Sequence, residues 1–182
     1  MSRALVLVAV LGAALALVAA GCGGDDEPQV PAATQWAGDL CTAVNSWRNS
    51  IATTAADLTA DPSREGLEEA VDEARDTTET LIETVRGLGS PGTESGEEAQ
   101  DTVSTLADDL ESSIETIEGA VEDISGVQGI VEAVSTVSAA VADISAELSS
   151  SLDELGGLQD VDDELRESFA DAEACNGVVP GS

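Results

Sequence analysis

The sequence predicts an all-α protein: an antiparallel four-helix up-down bundle followed by a short C-terminal helix. Three observations support this prediction. Hydrophobic residues recur every three or four positions over most of the chain, which is the period of one helix face. Breaks rich in glycine or proline divide this pattern into segments, and short connections favour antiparallel neighbours. The period-two alternation of a half-buried strand is absent, even from the valine-rich stretches.

The first two helices are predicted at 35–60 and 62–88, on either side of Asp61-Pro62. Aspartate can cap a helix and proline fits its first turn, so this pair marks a boundary. The second segment ends in a run of glycine, serine and proline. The two stripes contain Trp36, Leu40, Val44, Trp47, Ile51 and Leu58, then Leu67, Val71, Ala74, Leu81, Ile82, Val85 and Leu88.

The long stripe from Val103 to Leu155 allows two interpretations. The segment from Gly126 to Gly129 is either a turn between two helices or part of one helix of about 62 residues, about 93 Å long. The first two helices, at about 40 Å each, could not cover such a rod within a monomer. A turn also returns the chain end to Cys41. We therefore predict a hairpin, with a short last helix after Gly156-Gly157.

The N-terminal segment has the features of an export signal: Arg3, an uncharged apolar core and small residues at its end. An uncleaved anchor is the alternative, since about 18 apolar residues can span a bilayer. The string Ala19-Ala20-Gly21-Cys22 resembles a bacterial lipobox, which implies a lipid on Cys22 and cleavage just before it. The predicted organisation is a lipoprotein signal peptide at 1–21, the lipidated cysteine and a disordered acidic tether at 22–33, a helical bundle at 34–178 and a disordered tail at 179–182.

Two further cysteines, Cys41 and Cys175, remain once Cys22 is assigned to lipid. In an exported protein such a pair predicts a disulfide, and only one intramolecular pairing exists. It would close a loop of about 134 residues, which the chain-entropy model values at no more than about 5 kcal/mol. A metal site is the weaker alternative, because the chain has no His and no CxxC motif. We expect no bound metal and no cofactor.

The chain is strongly acidic. It has 37 Asp and Glu against six basic residues, none of them Lys, and a net charge of −31. Phosphate binding needs clustered Lys and Arg, so nucleic acid is not an expected partner. Cations, a basic envelope protein or a salty environment all suit this charge. Acidic flanks on the long stripe would crowd like charge in a coiled-coil dimer, so a monomer is expected.

Catalysis is not expected, because the usual bases and nucleophiles, His, Tyr and Lys, are missing. Close carboxylate pairs must occur among so many acids, but nothing in the sequence singles one out. The acidic stretch 160–164 lacks the glycine and the spacing of a calcium loop. It fits the cap and solvated first turn of the last helix better, with Asp162 placed to pair with Arg166.

Beyond the signal segment the chain has three aromatic residues, Trp36, Trp47 and Phe169. They lie five or six residues from Cys41 or Cys175, so a disulfide would gather all three at one end of the bundle. One interpretation is that they seal the core there. The other is that they wall a pocket for an apolar ligand, facing the membrane to which the tether leads.

Several stretches together carry a resemblance: the lipobox, the acidic tether, the opening "WAGDLCTAVNSW", the valine-serine run "STVSAAVADIS" and the closing "ADAEACNG". In these the chain resembles small actinobacterial (high-GC Gram-positive) cell-envelope lipoproteins. The resemblance implies an exported, disulfide-pinned helical bundle and carries over no catalytic or binding residue. The expected function is a membrane-anchored, non-enzymatic interaction or structural protein of the envelope. The alternative is a binder of lipid or small apolar ligands with a pocket near the three aromatic residues.

Overall fold

A computed structural model describes residues 30–60, 63–122 and 126–179. Within these ranges it contains five α-helices, one 3-10 turn and no strand, so the predicted all-α class is confirmed. The predicted signal peptide, Cys22 and most of the predicted tether lie outside the described residues. The helices are α1 (Ala32–Ala60), α2 (Arg64–Gly87), α3 (Gly96–Glu122), α4 (Gly126–Gln159) and α5 (Asp163–Asp171), followed by the 3-10 turn Glu173–Cys175.

The start of α2 differs from the prediction, which placed a cap at Asp61. Ser63 is the capping residue: its backbone is extended and its hydroxyl accepts a hydrogen bond from the Gly66 backbone N–H at 3.0 Å. A serine in this position satisfies one of the N–H groups that the first helical turn leaves unpaired. Residues 61 and 62 lie outside the described residues.

The long stripe is divided between two helices. α3 ends at Glu122, and α4 begins at Gly126, whose φ of +69° suits glycine. Gly126 to Gly129, where the prediction put the turn, therefore form the first turn of α4. The two helices pack against each other, and residues near the start of α3 line the same groove as residues near the end of α4. A single extended rod does not have these contacts.

The end of α4 also differs from the prediction, because the helix runs through Gly156-Gly157 to Gln159. Leu155 is buried and Leu158 packs against the core, so continuing the helix keeps both leucines on one face. The chain then turns through Asp160 and Val161, whose backbone N–H groups donate to the carbonyls of Gly157 and Leu158. α5 starts directly after this turn.

The helices pack in the order of the chain. α1 contacts α2, α2 contacts α3, and α3 contacts α4. The last described segments return to the beginning: α5 and the 3-10 turn both pack on α1, and α5 also touches α4. Among the described residues α1 has its close contacts with α2, α5 and the turn rather than with α4.

One continuous core results from this packing. Nearly all predicted stripe residues of α2 contribute, including Leu67, Val71, Leu81 and Val85. The structure also adds Val179, which the prediction placed in the tail, and α1 begins at Ala32, inside the predicted tether. The largest fully buried side chains are Phe169, Leu40, Leu67, Leu81, Leu106, Leu110, Ile117, Ile144, Leu148, Leu155, Leu165 and Val44.

Of the described helices, one is long and apolar enough to cross a membrane by length and composition: the segment Gln128–Gln159 contains an 18-residue stretch with a mean hydropathy of 1.4. This value reflects its valine, alanine and serine content: residues 133–142 include no charged side chain. Its larger side chains, such as Ile144, Leu148 and Leu152, lie in the core described above.

Candidate functional site

The end of the molecule that contains the start of α1 is held by a disulfide. Cys41 and Cys175 are bonded and both are fully buried. The 3-10 turn that contains Cys175 is also held by Asn45 of α1, whose side-chain amide donates to the Ala174 carbonyl at 2.8 Å. The predicted pairing is therefore present, and it fixes the chain end against the first helix.

Two of the three aromatic residues meet at this end. The rings of Trp36 and Phe169 lie edge to face with centroids 5.9 Å apart, an arrangement that favours the ring quadrupoles. The Trp36 indole N–H donates to the Gly89 carbonyl at 2.8 Å. Both side chains are buried in the core. Their burial and contacts are those of residues that pack in a protein core.

Trp47 lies apart from the other two, about 16 Å from Trp36 along the axis of α1. Its indole N–H donates to the Thr78 hydroxyl at 3.0 Å, and that hydroxyl donates to the Ala74 carbonyl at 2.6 Å. Thr78 was not singled out from the sequence, although it occupies a polar position on the apolar stripe of α2. A ligand pocket formed by the three aromatic residues stays a prediction.

Asp162 joins two helix starts. It caps α5 through the Leu165 backbone N–H, at 2.9 Å, and it also accepts from the Ser95 backbone N–H, at 2.8 Å. Burial by itself raises the pKa of this carboxyl, but the hydrogen bonds from Ser95, Leu165 and Glu164 lower it, and the net pKa is below the ordinary value. The predicted pair with Arg166 is not formed, because Arg166 binds Asp163 instead.

Two arginines of α2, Arg75 and Arg86, pair with acidic side chains of α3. Arg75 binds Glu79 at 2.9 Å and Glu118 of α3 at 3.1 Å. Arg86 binds Asp108 at 2.9 Å and also Glu111, whose pKa it lowers. All these side chains are at least 42% exposed, so each pair contributes little to stability. Their main effect is to neutralise the seam between α2 and α3.

The seam between α3 and α4 has no such compensation, since neither helix contains Lys or Arg. A surface cavity of about 320 Å³ lies there, which we call the α3–α4 groove. Only acidic and hydroxyl side chains line it: Glu98, Asp101, Thr102, Thr105, Asp109, Glu147, Ser150, Ser151 and Glu154.

The carboxyl of Glu147, in this groove, has a raised pKa. Partial burial raises its pKa, and the carboxylates of Asp109 and Asp143 raise it further, against a hydrogen bond from Ser113 that lowers it. One carboxylate oxygen of Glu147 is buried without a hydrogen-bond partner in the described part of the chain. The α3–α4 groove is therefore a place where negative charge is already in excess.

A second depression, the α1–α2 groove, runs along the opposite pair of helices. It consists of two adjoining cavities of about 510 and 570 Å³. The first is lined by residues of α1 from Asp39 to Trp47 and by residues from Thr77 of α2 to Leu88, which follows α2. The second continues from Asn49 to Leu58 of α1, against residues 66–73 of α2. The side chains that line this groove share no sequence motif, so it could not be predicted from the sequence.

No cluster of three metal-ligating side chains occurs within residues 30–60, 63–122 and 126–179. Comparison of the chain with protein-family models, curated proteins and solved structures finds no match. The geometry and charge of the two grooves are therefore the features that bear on function.

Proposed function

We propose that this protein is a membrane-anchored, extracytoplasmic lipoprotein that binds a basic protein of the cell envelope and has no enzymatic activity. In this proposal the four long helices form an up-down bundle, α5 closes it against α1, and a lipid on Cys22 holds the bundle near the membrane. The role is a binding or structural one.

The observation that carries the proposal is the segregation of charge. Every arginine of the described residues lies on α1, α2 or α5. The arginines of α2 neutralise its seam with α3, whereas the α3–α4 groove and the α1–α2 groove each have five carboxylates and no base in their linings. Such a surface attracts a cationic partner over about one Debye length, about 8 to 10 Å at ordinary ionic strength.

The position of the first helix supports the anchored part of the proposal. Val30, the first described residue, is separated from Cys22 by a chain that spans at most about 30 Å when extended. A lipoprotein with more than one acyl chain is held durably in a bilayer. The disulfide end of the molecule would then face the membrane, and the ends of the two grooves would be within reach of other envelope proteins.

The side-chain chemistry favours binding over catalysis. The chain has no His, Tyr or Lys, and Cys41 and Cys175 are both in the disulfide. Carboxylates are then the main titratable groups, and in the α3–α4 groove they lie among hydroxyl side chains at the surface. Without His, Tyr or Lys, and with both of these cysteines oxidised, this set of side chains favours binding over general acid–base or nucleophilic catalysis.

Crosslinking followed by affinity capture from intact cells tests the proposed binding. We expect one specific protein with a basic surface, recovered in smaller amounts as salt is added, because salt screens charge–charge attraction. Recovery of the abundant neighbours alone, at an amount that salt does not change, would contradict the proposal.

Cys22→Ser tests the anchor. The variant is expected to leave the membrane fraction, since the thiol that receives the lipid is gone. The matched control is Ser149→Cys, which adds a cysteine at an exposed position of α4 and should not alter membrane retention. If Cys22→Ser stays in the membrane fraction, an uncleaved anchor explains the attachment instead.

A further inference from the structure

We infer that the α1–α2 groove is the docking site for a basic amphipathic helix of the partner protein. This inference rests on the proposed function and assigns its partner a secondary structure and a location. The α3–α4 groove is the competing acidic surface.

The length of the α1–α2 groove suits a helix. Its lining on α1 extends from Asp39 to Leu58, which corresponds to about 28 Å of helix axis. Its two cavities adjoin within one helical turn, at Ser46 and Asn49 on α1 and at Glu73 and Thr77 on α2. An added helix of about 19 residues would span this distance.

The lining of the groove combines short polar side chains with hydrophobic ones. Short side chains such as Ser46, Thr53 and Thr80 let a third helix approach to the usual axial distance of about 8 to 10 Å. The hydrophobic lining residues include Trp47, Leu81 and Leu88 in one cavity and Leu58 and Ala70 in the other. Leu58 and Leu88 are only partly buried, so an apolar stripe on an incoming helix would cover them.

The negative charge of the groove favours a basic ligand. Its charged lining residues are Asp39, Asp57, Glu69, Glu73 and Glu83, and no Lys or Arg lines either cavity. A helix with Lys or Arg beside its apolar stripe matches both features, which is the pattern of helix-in-groove recognition. A second copy of this chain would bring further carboxylates into the groove, and like charges placed together cost binding energy.

The α3–α4 groove lacks the apolar half of this match. Its volume is about 320 Å³ and its lining is entirely acidic or hydroxyl-bearing. An amphipathic helix would gain charge attraction there, but no hydrophobic side chain lines the groove for its apolar stripe to contact. The two grooves therefore make different demands on a ligand, and a designed peptide can separate them.

The probe is a fluorescent, lysine-rich peptide of about 20 residues with one leucine stripe at helical spacing, titrated into the full chain in detergent. A peptide of the same composition with scattered leucines is the control. The wild-type protein and every variant are titrated in the same detergent. We expect the amphipathic peptide to bind more tightly. Equal binding of both peptides would show that charge alone attracts them and would overturn the inference.

Two sets of variants locate the peptide. The triple change Asp57→Asn, Glu69→Gln and Glu83→Gln should weaken binding about 10-fold or more, because it removes three carboxylates from the groove. The matched triple Glu98→Gln, Asp101→Asn and Glu154→Gln removes the same charge from the α3–α4 groove and should change binding less than about 2-fold.

A change of shape without a change of charge completes the test. Ser46→Trp and Thr53→Trp together fill the α1–α2 groove at its walls, and Ser149→Trp places the same side chain on the exposed face of α4. The first pair should abolish measurable binding and the control should not. Circular dichroism of each variant confirms that the helices are retained.

The outcomes separate the inference from the proposed function. If the triple variant of the α3–α4 groove loses peptide binding and the variant with Ser46→Trp and Thr53→Trp does not, the peptide binds in the α3–α4 groove. The inference would then be wrong and the proposed function would stand. No binding of either peptide to any form of the protein would contradict both.

Discussion

The two halves of α1 have different surroundings. In the first half, which we call the closed half (residues 33–47), Leu40, Cys41 and Val44 are fully buried, and the two tryptophans are nearly so. In the second half, the open half (residues 48–60), Ile51 and Leu58 are only partly buried although they continue the same apolar stripe. The stripe is also sparser in the open half, where Ile51 and Leu58 are seven residues apart, than in the closed half, where its members are three or four residues apart.

The difference comes from what lies opposite the helix. The closed half packs against α2 on one side and against α5 and the 3-10 turn on the other. The open half lies beside the start of α2, and α4 packs on α3 rather than on α1. A helix face gains burial, and therefore stability, only where a second element covers it.

The largest effect is expected from Phe169→Ala in α5. Its ring is fully buried and touches Trp36, so removing it leaves a cavity in the closed half and should cost about 3 to 5 kcal/mol of unfolding free energy. The matched change Val131→Ala, at a valine that is 63% exposed near the start of α4, should cost less than about 0.5 kcal/mol. Urea denaturation measures both, and similar costs would contradict the comparison.

Removal of the disulfide should cause the second-largest loss of stability. The double variant Cys41→Ala and Cys175→Ala is expected to lose about 2 to 5 kcal/mol, mainly because the unfolded chain becomes less constrained. In reducing buffer, the midpoint of the wild-type unfolding transition should fall to that of the variant. Two titratable thiols in the native wild type, together with no change in stability, would show that the bond is not formed.

The carboxyl of Asp162 should have an intermediate effect. Asp162→Ala removes the cap of α5 and leaves the Ser95 N–H without its acceptor, at a cost of about 2 kcal/mol near neutral pH. The folded pKa is lower than the unfolded one, so this stabilisation is complete above the unfolded pKa and is lost as pH falls through the folded pKa. The gap between wild type and variant should therefore narrow in acid. An equal difference in unfolding free energy between wild type and Asp162→Ala near pH 7 and near pH 2 would contradict an ionised cap. The control Asp160→Ala should change the unfolding free energy little at either pH.

The smallest effect is a gain in stability. Glu147→Gln removes a carboxylate whose folded pKa is raised, so near neutral pH the variant should be more stable by a few tenths of a kcal/mol. The penalty in the wild type disappears as pH falls through the raised folded pKa, so the advantage of the variant should vanish in acid. Asp153→Asn on the same helix provides the comparison. Thermal denaturation over a pH series would contradict the account if Glu147→Gln were destabilising at pH about 7.

Much of the fold followed from periodicity. The spacing of apolar residues predicted every described long helix, and the cysteine count predicted the disulfide. Boundaries were less predictable, because the sequence offers a choice of capping side chains within a few residues. Asp160 and Asp162, for example, both precede α5 and both could cap it. The structure has Asp162 as the cap and Asp163 as the first residue of α5, which puts Leu165 and Phe169 in the core.

The candidate sites were harder to predict than the helices. Periodicity placed Ile51 and Leu58 on the core face of α1, but it contains no information about which neighbour covers that face. The α1–α2 groove depends on short side chains of two helices coming together, which a one-dimensional pattern does not record. The charge of the α3–α4 groove was partly visible, since the absence of Lys and Arg from both helices can be read directly from the sequence.

Native-state hydrogen exchange of the backbone amides along α1 tests the central comparison most directly. Local opening should require more free energy in the closed half than in the open half, because the closed half has neighbours on both sides. We therefore expect strong protection at Leu40 to Trp47 and much weaker protection at Ile51 to Leu58, with reduction of the disulfide lowering mainly the former. Uniform protection along α1, or stronger protection in the open half, would contradict the account.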